Sequence, residues 1–189
     1  MRSVVLQFFD MTREWTIIVA AIALIYYHNA LVFYIIFGAC ACTFLAKILK
    51  FFIKQQRPVS GTRKRKSYGM PSTHSAAIMY FSTIICHLIH DHTNNSLRDK
   101  IESHHSKTKE QSINVLATTL ICSIGLSAAL SRALNGYHSI SQVFAGICLG
   151  VTFATVWWHY HGVALPFIER LTVYYLDAYL GICVSSTSG

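Results

Sequence analysis

The residues that could do chemistry lie in three short polar stretches of an otherwise apolar chain. Cationic and hydroxyl side chains of the kind found there bind phosphate, and an imidazole can attack phosphorus or transfer a proton. Their types therefore indicate phosphoryl transfer. The candidates are Lys50 and Arg57 in the first stretch, Ser72, Thr73 and His74 in the second, and Arg132, His138 and Gln142 in the third.

The second stretch has the features of a helix start. Ser72 is a favoured N-cap residue, and Pro71 before it suits the boundary. The backbone N–H groups of Thr73, His74 and Ser75 would then lack partners inside the helix and point outward. Such a helix N-terminus attracts anions, phosphate above all. Taken alone, the same residues also fit a capped helix that carries a surface histidine.

The composition predicts an all-α, polytopic membrane helix bundle of about six transmembrane helices. Hydrophobic residues make up 53% of the 189 residues and charged residues only 13%, and several apolar runs approach the roughly 20 residues that span a bilayer. No recognisable nucleic-acid fold accompanies the net charge of +8, so we expect no nucleic-acid partner. The predicted helices cover about 15–27, 30–53, 72–90, 113–134, 139–161 and 166–184, with polar loops at 59–69 and 92–111.

These elements form one membrane-embedded domain, residues 1–184, followed by a flexible Ser/Thr/Gly tail at 185–189. Alternate crossing brings the ends of the second and fourth helices and the starts of the third and fifth to one membrane face. All three polar stretches fall there, which makes that face the predicted active site. One histidine would attack phosphorus while the other serves the leaving oxygen and then water. The cations neutralise the phosphoryl oxygens, so neither a metal nor a cofactor is needed.

In order and spacing, the three stretches resemble the signature of the type 2 phosphatidic acid phosphatase superfamily. They read Lys50-x6-Arg57-Pro58, Pro71-Ser72-Thr73-His74 and Ser131-Arg132-x5-His138. The resemblance covers about residues 44–150. Within the superfamily, the chain resembles the lipid phosphatases. Two segments are most similar to those of the dolichyl diphosphatases: Lys-Gln-Gln-Arg-Pro-Val-Ser at 54–60 and Tyr-Gly-Met-Pro-Ser at 68–72.

This resemblance implies an all-helical membrane enzyme that needs no metal. His138 would be the nucleophile and His74 the general acid. The substrate would be a polyisoprenoid diphosphate, with dolichyl diphosphate hydrolysed to dolichyl phosphate for reuse in N-glycosylation. The protein would then lie in the endoplasmic reticulum membrane with its active site facing the lumen. The implied phosphate ligands are Lys50, Arg57, Ser72, Thr73 and Arg132.

Two positions depart from the widespread family pattern. Thr73 replaces a glycine, a change that keeps the backbone N–H. Gln142 replaces an aspartate that would orient His138; its carbonyl oxygen can accept the same hydrogen bond but carries no charge. The dolichyl diphosphatases resemble this chain in having Gln at that position. Ser139-x-x-Gln142 also fits a simple capping box.

Other interpretations stay open at this stage. The chain could be a broad-specificity lipid phosphate phosphatase, because the motifs bind the phosphoryl group and not the tail. It could also be a non-catalytic relative that binds lipid phosphates. The histidines at 87, 90 and 92 could suggest a metal, although an interfacial helix end explains them better. The cations of the 59–69 loop favour a cytosolic active site, against the lumenal one, and a glycan at the Asn94 sequon would favour the cytosol too.

Overall fold

The computed structural model describes residues 29–58, 68–99 and 104–180, together with five helical positions nearer the N-terminus, Ile18, Val19, Ile22, Ala23 and Tyr26. Side chains are described at those five positions and at 29–58, 68–94 and 111–171. All regular structure in the described part is helical, which confirms the all-α class. The helices are α1 (Ala30–Ile53), α2 (Thr73–Asp99), α3 (His104–Leu134), α4 (Ile140–His159) and α5 (His161–Leu180).

Local capping sets both ends of α1. The Asn29 side chain accepts a hydrogen bond from the Leu31 N–H at 2.8 Å and starts the helix. Lys54 ends it in the left-handed conformation, with φ 50°, and donates its N–H to the Lys50 carbonyl at 3.1 Å. The helix therefore matches the second predicted run. The predicted first helix at 15–27, apart from the positions named above, the charged loop at 59–67 and the tail at 185–189 lie outside the described residues.

The predicted polar loop at 92–111 is wrong. α2 continues to Asp99 and α3 already begins at His104. Residues 92–111 contain neither Gly nor Pro, so neither of the strongest helix breakers shortens the end of α2 or the start of α3. The apolar pattern stops there because the two helices, of 27 and 31 residues, are roughly 40 and 46 Å long and outreach the hydrocarbon layer.

The last two helices also begin or end away from their predicted bounds. α4 stops at His159, and Tyr160 separates it from α5, which starts at His161 instead of Pro166. Pro166 lies inside α5. A proline removes one backbone donor, and membrane helices tolerate that loss more readily than soluble ones.

Three described helices have the length and apolar character needed to cross a membrane: Ala30–Ile53, Gln111–Leu134 and Ile140–His159. The chain is thus a multi-pass membrane protein, while the count of about six spans is not confirmed. α2 packs against α1, α3 and α4. Because neighbouring helices shield it from lipid, it can carry more polar residues than a lipid-facing span.

Small residues let α2 and α4 approach closely beside the predicted site. A Cβ atom on Gly146 would lie 2.5 Å from the Ser72 carbonyl oxygen, and one on Gly150 would collide with the Ala76 carbonyl. Glycines four apart permit such backbone contact between membrane helices. This contact fixes the start of α2 against the start of α4. The adjoining core consists of Ala39, Cys42, Ala46, Ala76, Tyr80, Ile84, Ala154 and Trp158.

Candidate active site

The three polar stretches meet at one end of the bundle, as the topology predicted. Lys50 at the end of α1 donates from Nζ to Oγ1 of Thr73 at 2.8 Å. Arg57 lies with NH1 3.3 Å from Nε2 of His138. The Ser72 backbone N–H donates to the backbone carbonyl of Gln142 at 2.9 Å. Hydrogen bonds therefore connect all three stretches.

A helix C-cap sets the spacing between Arg132 and His138. Gly136 adopts φ 71° just after α3, and its N–H donates to the Ala133 carbonyl at 2.9 Å. The Tyr137 N–H donates to the Arg132 carbonyl at 3.1 Å, which completes a Schellman motif. The His138 N–H reaches the same carbonyl at 3.3 Å. The turn thus holds the imidazole beside the last turn of α3.

The surroundings of His138 determine its tautomer. A guanidinium has only donors, so the contact from Arg57 makes Nε2 the acceptor. The proton then lies on Nδ1, which is 3.2 Å from Oε1 of Gln142 and donates to it. His138 is only 5% exposed. Its lone pair on Nε2 therefore faces the Arg57 guanidinium.

The Gln142 side chain combines the two roles that the sequence left as alternatives. Its Nε2 donates to the Gln56 carbonyl at 2.8 Å, so its Oε1 must face the other way. There Oε1 accepts from His138 and from the Ser139 N–H, each at 3.2 Å. The Ser139 hydroxyl accepts the Gln142 N–H at 3.3 Å and completes a capping box. Gln142 thus caps α4 and contacts the imidazole at the same time.

The backbone passes close to this amide at Gly69. A Cβ atom there would collide with the Gln142 side-chain amide, and the Gly69 N–H donates to the Gln55 carbonyl at 2.8 Å. The extended segment after α1 and the approach to α2 are therefore joined around Gln142. Neither Gln56 nor Gly69 was predicted as a site residue, although the Gly just before Met-Pro-Ser was an available signal for a close backbone approach.

The N-terminus of α2 differs in one respect from the prediction. The Ser75 N–H does not point outward, because it donates to the Ser72 hydroxyl at 3.4 Å, and the Ser75 hydroxyl lies 2.9 Å from the same oxygen. Ser72 is fully buried. Thr73 and His74 follow in the first turn and are half-buried. Thr73 also differs from a glycine in a way the sequence analysis missed, since its hydroxyl receives the Lys50 ammonium.

Arg132 is the most enclosed cation of the site, at 7% exposed. Its guanidinium carbon lies 4.5 Å from the centroid of the Tyr137 ring. Burial and the nearby Arg57 and Lys50 charges lower the pKa of His138 to about 3; the hydrogen bond to Gln142 opposes this fall and Arg132 adds to it. The electrostatic field of the site thus favours a neutral imidazole and a bound anion.

His87 and His161, at the opposite end of the bundle, belong to an aromatic cluster around Trp158. The Trp158 ring stacks on His87 and on His161, with centroids 6.0 and 4.3 Å apart. Its Nε1 donates to Asp91 Oδ2 at 3.1 Å. Within the residues the structure describes, no group of three or more His, Cys, Asp or Glu side chains could hold a metal ion. This cluster packs α2 against the α4–α5 junction, as an interfacial helix end does.

Comparison with known proteins identifies the family to which this site belongs. The model of the PAP2 superfamily matches residues 28–165, which include every residue of the site. The chain belongs to the PAP2 superfamily. Its membrane fold is that of a solved PAP2 protein, described as the first transmembrane PAP2-type phosphatidylglycerolphosphate phosphatase from Bacillus subtilis. That likeness has a TM-score of 0.60 at 17% identity and covers 86% of this chain and 79% of the other.

Another protein is more similar in sequence. Dolichyldiphosphatase 1 of Dictyostelium discoideum is 30% identical over 112 residues, which is 59% of this chain. The match spans 44% of that relative, less than half of its length.

Proposed function

We propose that this PAP2 protein hydrolyses a polyisoprenoid diphosphate, dolichyl diphosphate in the first place, to the monophosphate and inorganic phosphate. The observation that carries the proposal is the buried His138. Its Nδ1 proton is held by Gln142 and its Nε2 faces Arg57, among the cations of a phosphate site. The similarity to Dolichyldiphosphatase 1 supports the choice of lipid.

The reaction proceeds in two displacements through a phosphohistidine. Nε2 of His138 attacks the terminal phosphorus, the bond to the bridging oxygen breaks, and His74 gives that oxygen a proton. Water then attacks the phosphorus and loses a proton to His74. The N–P bond breaks, phosphate leaves, and both histidines regain their starting states. Lys50, Arg57 and Arg132 stabilise the charge on the phosphoryl oxygens, with the Ser72–Thr73 helix start beside them.

The neutral Gln142 suits an anhydride substrate. The phosphohistidine carries its charge on an imidazolium, which an amide stabilises less than a carboxylate does. The weaker support suffices when the leaving group is good. A phosphate monoester has a second pKa of about 6, whereas an alcohol resembles water, at about 15.7. Cleavage of a diphosphate therefore demands less from His138 than cleavage of a phosphate ester.

The decisive experiment measures phosphate release by the purified protein in detergent with a chelator present. Dolichyl diphosphate, dolichyl monophosphate and phosphatidate are compared, with His138→Ala as the blank and its melting temperature as the folding control. Preference for the diphosphate supports the proposal. Equal turnover of all three makes the protein a broad-specificity lipid phosphatase. No release by a folded sample would contradict the proposal and make lipid-phosphate binding the hypothesis to test next.

We further propose that the protein resides in the endoplasmic reticulum membrane with this site on the lumenal side. Asn94 tests the orientation because it is exposed on α2 toward the end opposite the active site. In cells, the Asn94-Asn95-Ser96 sequon should carry no glycan, since its side of the membrane would be cytosolic. A glycan that disappears in Asn94→Gln would place the active site in the cytosol.

A further inference from the structure

Tyr137 contacts both arginines of the phosphate site through different groups. Its backbone carbonyl accepts a hydrogen bond from Arg57 NH1 at 3.3 Å. Its ring lies under the Arg132 guanidinium, with 4.5 Å between the guanidinium carbon and the ring centroid. Because Tyr137 directly precedes His138, it joins both cations to the nucleophile.

The ring contact is the one that a substitution can isolate. Any residue at 137 keeps the carbonyl that receives Arg57, and the Schellman motif that positions it is also made by the backbone. The contact with the Arg132 guanidinium, in contrast, depends on the side chain. Cation–π attraction is strongest where the cation is desolvated, and Arg132 is 7% exposed.

The geometry also explains what the contact does for binding. The Arg132 guanidinium carbon lies over the Tyr137 ring, and cation–π attraction restricts the rotation of a group held there. The contact is with the face of the ring and is not a hydrogen bond, so the contact itself occupies none of the N–H donors of Arg132. An arginine arranged in this way loses less conformational entropy when phosphate binds.

We propose that Tyr137 is a positioning residue that orients the Arg132 guanidinium for phosphate. The inference rests on the proposed function only in taking this cluster as a phosphate site. Its test uses inorganic phosphate, so an error about the lipid substrate leaves it unaffected.

The experiment measures the Kd of inorganic phosphate by calorimetry on the purified full chain in detergent. Tyr137→Leu should weaken binding by roughly 3- to 30-fold, the range of one desolvated cation–π contact. Tyr137→Phe keeps the ring and should stay within about 2-fold of the unsubstituted protein. Tyr68→Leu is the matched control, because Tyr68 is exposed beside the same motifs. It should leave the Kd unchanged.

A double-mutant cycle separates positioning from a general structural role. In an Arg132→Gln background, Tyr137→Leu should add less than about 2-fold, because the group it orients is absent. Melting temperatures accompany each measurement, and Tyr137→Met replaces the leucine variant if that variant does not fold. Equal losses in Tyr137→Phe and Tyr137→Leu, or an undiminished effect of Tyr137→Leu without Arg132, would overturn the proposal.

Discussion

Nδ1 of His138 lies 3.2 Å from Oε1 of Gln142, and the same amide donates to the Gln56 carbonyl 2.8 Å away. The nucleophile proposed here is therefore oriented by a residue that is itself held at both ends. A carboxylate could accept from the imidazole but could not donate to Gln56. This relationship gives a structural reason for an amide at position 142.

Replacing Gln142 with leucine should reduce turnover and stability together. It leaves the buried Nδ1–H of His138 without its acceptor, at about 1–3 kcal/mol, and removes the donor to the Gln56 carbonyl. An imidazole that can turn to the wrong tautomer should lower kcat by at least about 100-fold. The measurements are phosphate release and thermal unfolding in detergent. Gln56→Ala is the control, since it keeps the backbone carbonyl; equal activity in Gln142→Leu and Gln56→Ala would contradict an orienting role.

The low pKa of His138 predicts how stability varies with pH. Histidine titrates near 6.5 in an unfolded chain, and His138 at about 3 in the folded one. Between these values the unfolded state binds more protons. The free energy of unfolding should therefore be highest above pH 6.5 and decrease by up to about 1.4 kcal/mol per pH unit as the pH falls toward 3.

Thermal unfolding from pH 7.5 down to 4 measures this effect. The difference in stability between the unsubstituted protein and His138→Gln isolates the contribution of one imidazole from those of other titrating groups. That difference should shrink as the pH falls. A difference that stays constant over this range would mean that His138 keeps an ordinary pKa.

Gly136→Ala tests the turn that sets the Arg132–His138 spacing. With φ 71°, a non-glycine residue there costs about 1–2 kcal/mol, and relaxation of the turn would displace His138. We expect a lower melting temperature and a loss of kcat. Asn tolerates this conformation better, so Gly136→Asn should be milder. Gly162→Ala is the control, because a Cβ there meets nothing within 4 Å.

A pair of glycines on α4 separates packing from site geometry. Gly146 faces the Ser72 carbonyl and Gly150 faces Ala76, one turn further from the site. Alanine at either position should push α2 and α4 apart and destabilise the protein by roughly 1–3 kcal/mol. Activity measured well below both melting temperatures should fall further for Gly146→Ala, since Ser72 begins the phosphate site. Equal losses would show that the helix contact acts only through stability.

Thr73→Gly tests the hydroxyl that receives Lys50. The variant restores the residue that the widespread family pattern has, yet it removes the acceptor 2.8 Å from the ammonium. We expect KM to rise by about 3- to 10-fold, which corresponds to one lost hydrogen bond of ordinary strength. Thr73→Ser keeps the hydroxyl and should restore KM. Steady-state kinetics for all three proteins would settle the point, and unchanged KM in the glycine variant would exclude a role for the hydroxyl.

The sequence allowed the meeting of the three stretches to be predicted, because helix ends must alternate between membrane faces. It also allowed the cap at Ser72 and the stop at Gly136 to be placed, since both depend on local residue types. The continued helices beyond His92 and before Gln111 were missed, because polar helical turns outside the bilayer have no apolar period. The predicted count of about six spans stays a prediction, because most of the first predicted helix lies outside the described residues.

Contacts between side chains distant in the sequence could not be predicted in the same way. The Lys50–Thr73 hydrogen bond depends on how far α1 extends toward α2. Oε1 of Gln142 accepts two hydrogen bonds because the Gln56 backbone carbonyl holds the other end of the amide. Every residue has a backbone carbonyl, so the sequence gives no sign of this contact. The contact between Tyr137 and Arg132 could not be predicted from residue types either, since it is the turn at Gly136 that brings the ring to the guanidinium.

The contact between Arg57 NH1 and Nε2 of His138 has a consequence for chemical labelling. The atom that would react with an electrophile is already engaged by a guanidinium and is almost fully enclosed. A neutral reagent must displace that guanidinium without supplying a new anionic partner for it. A reagent that carries its own phosphonate or sulfonate gives Arg57 a new partner and releases the nitrogen. Selective covalent probes of this histidine should therefore be anions.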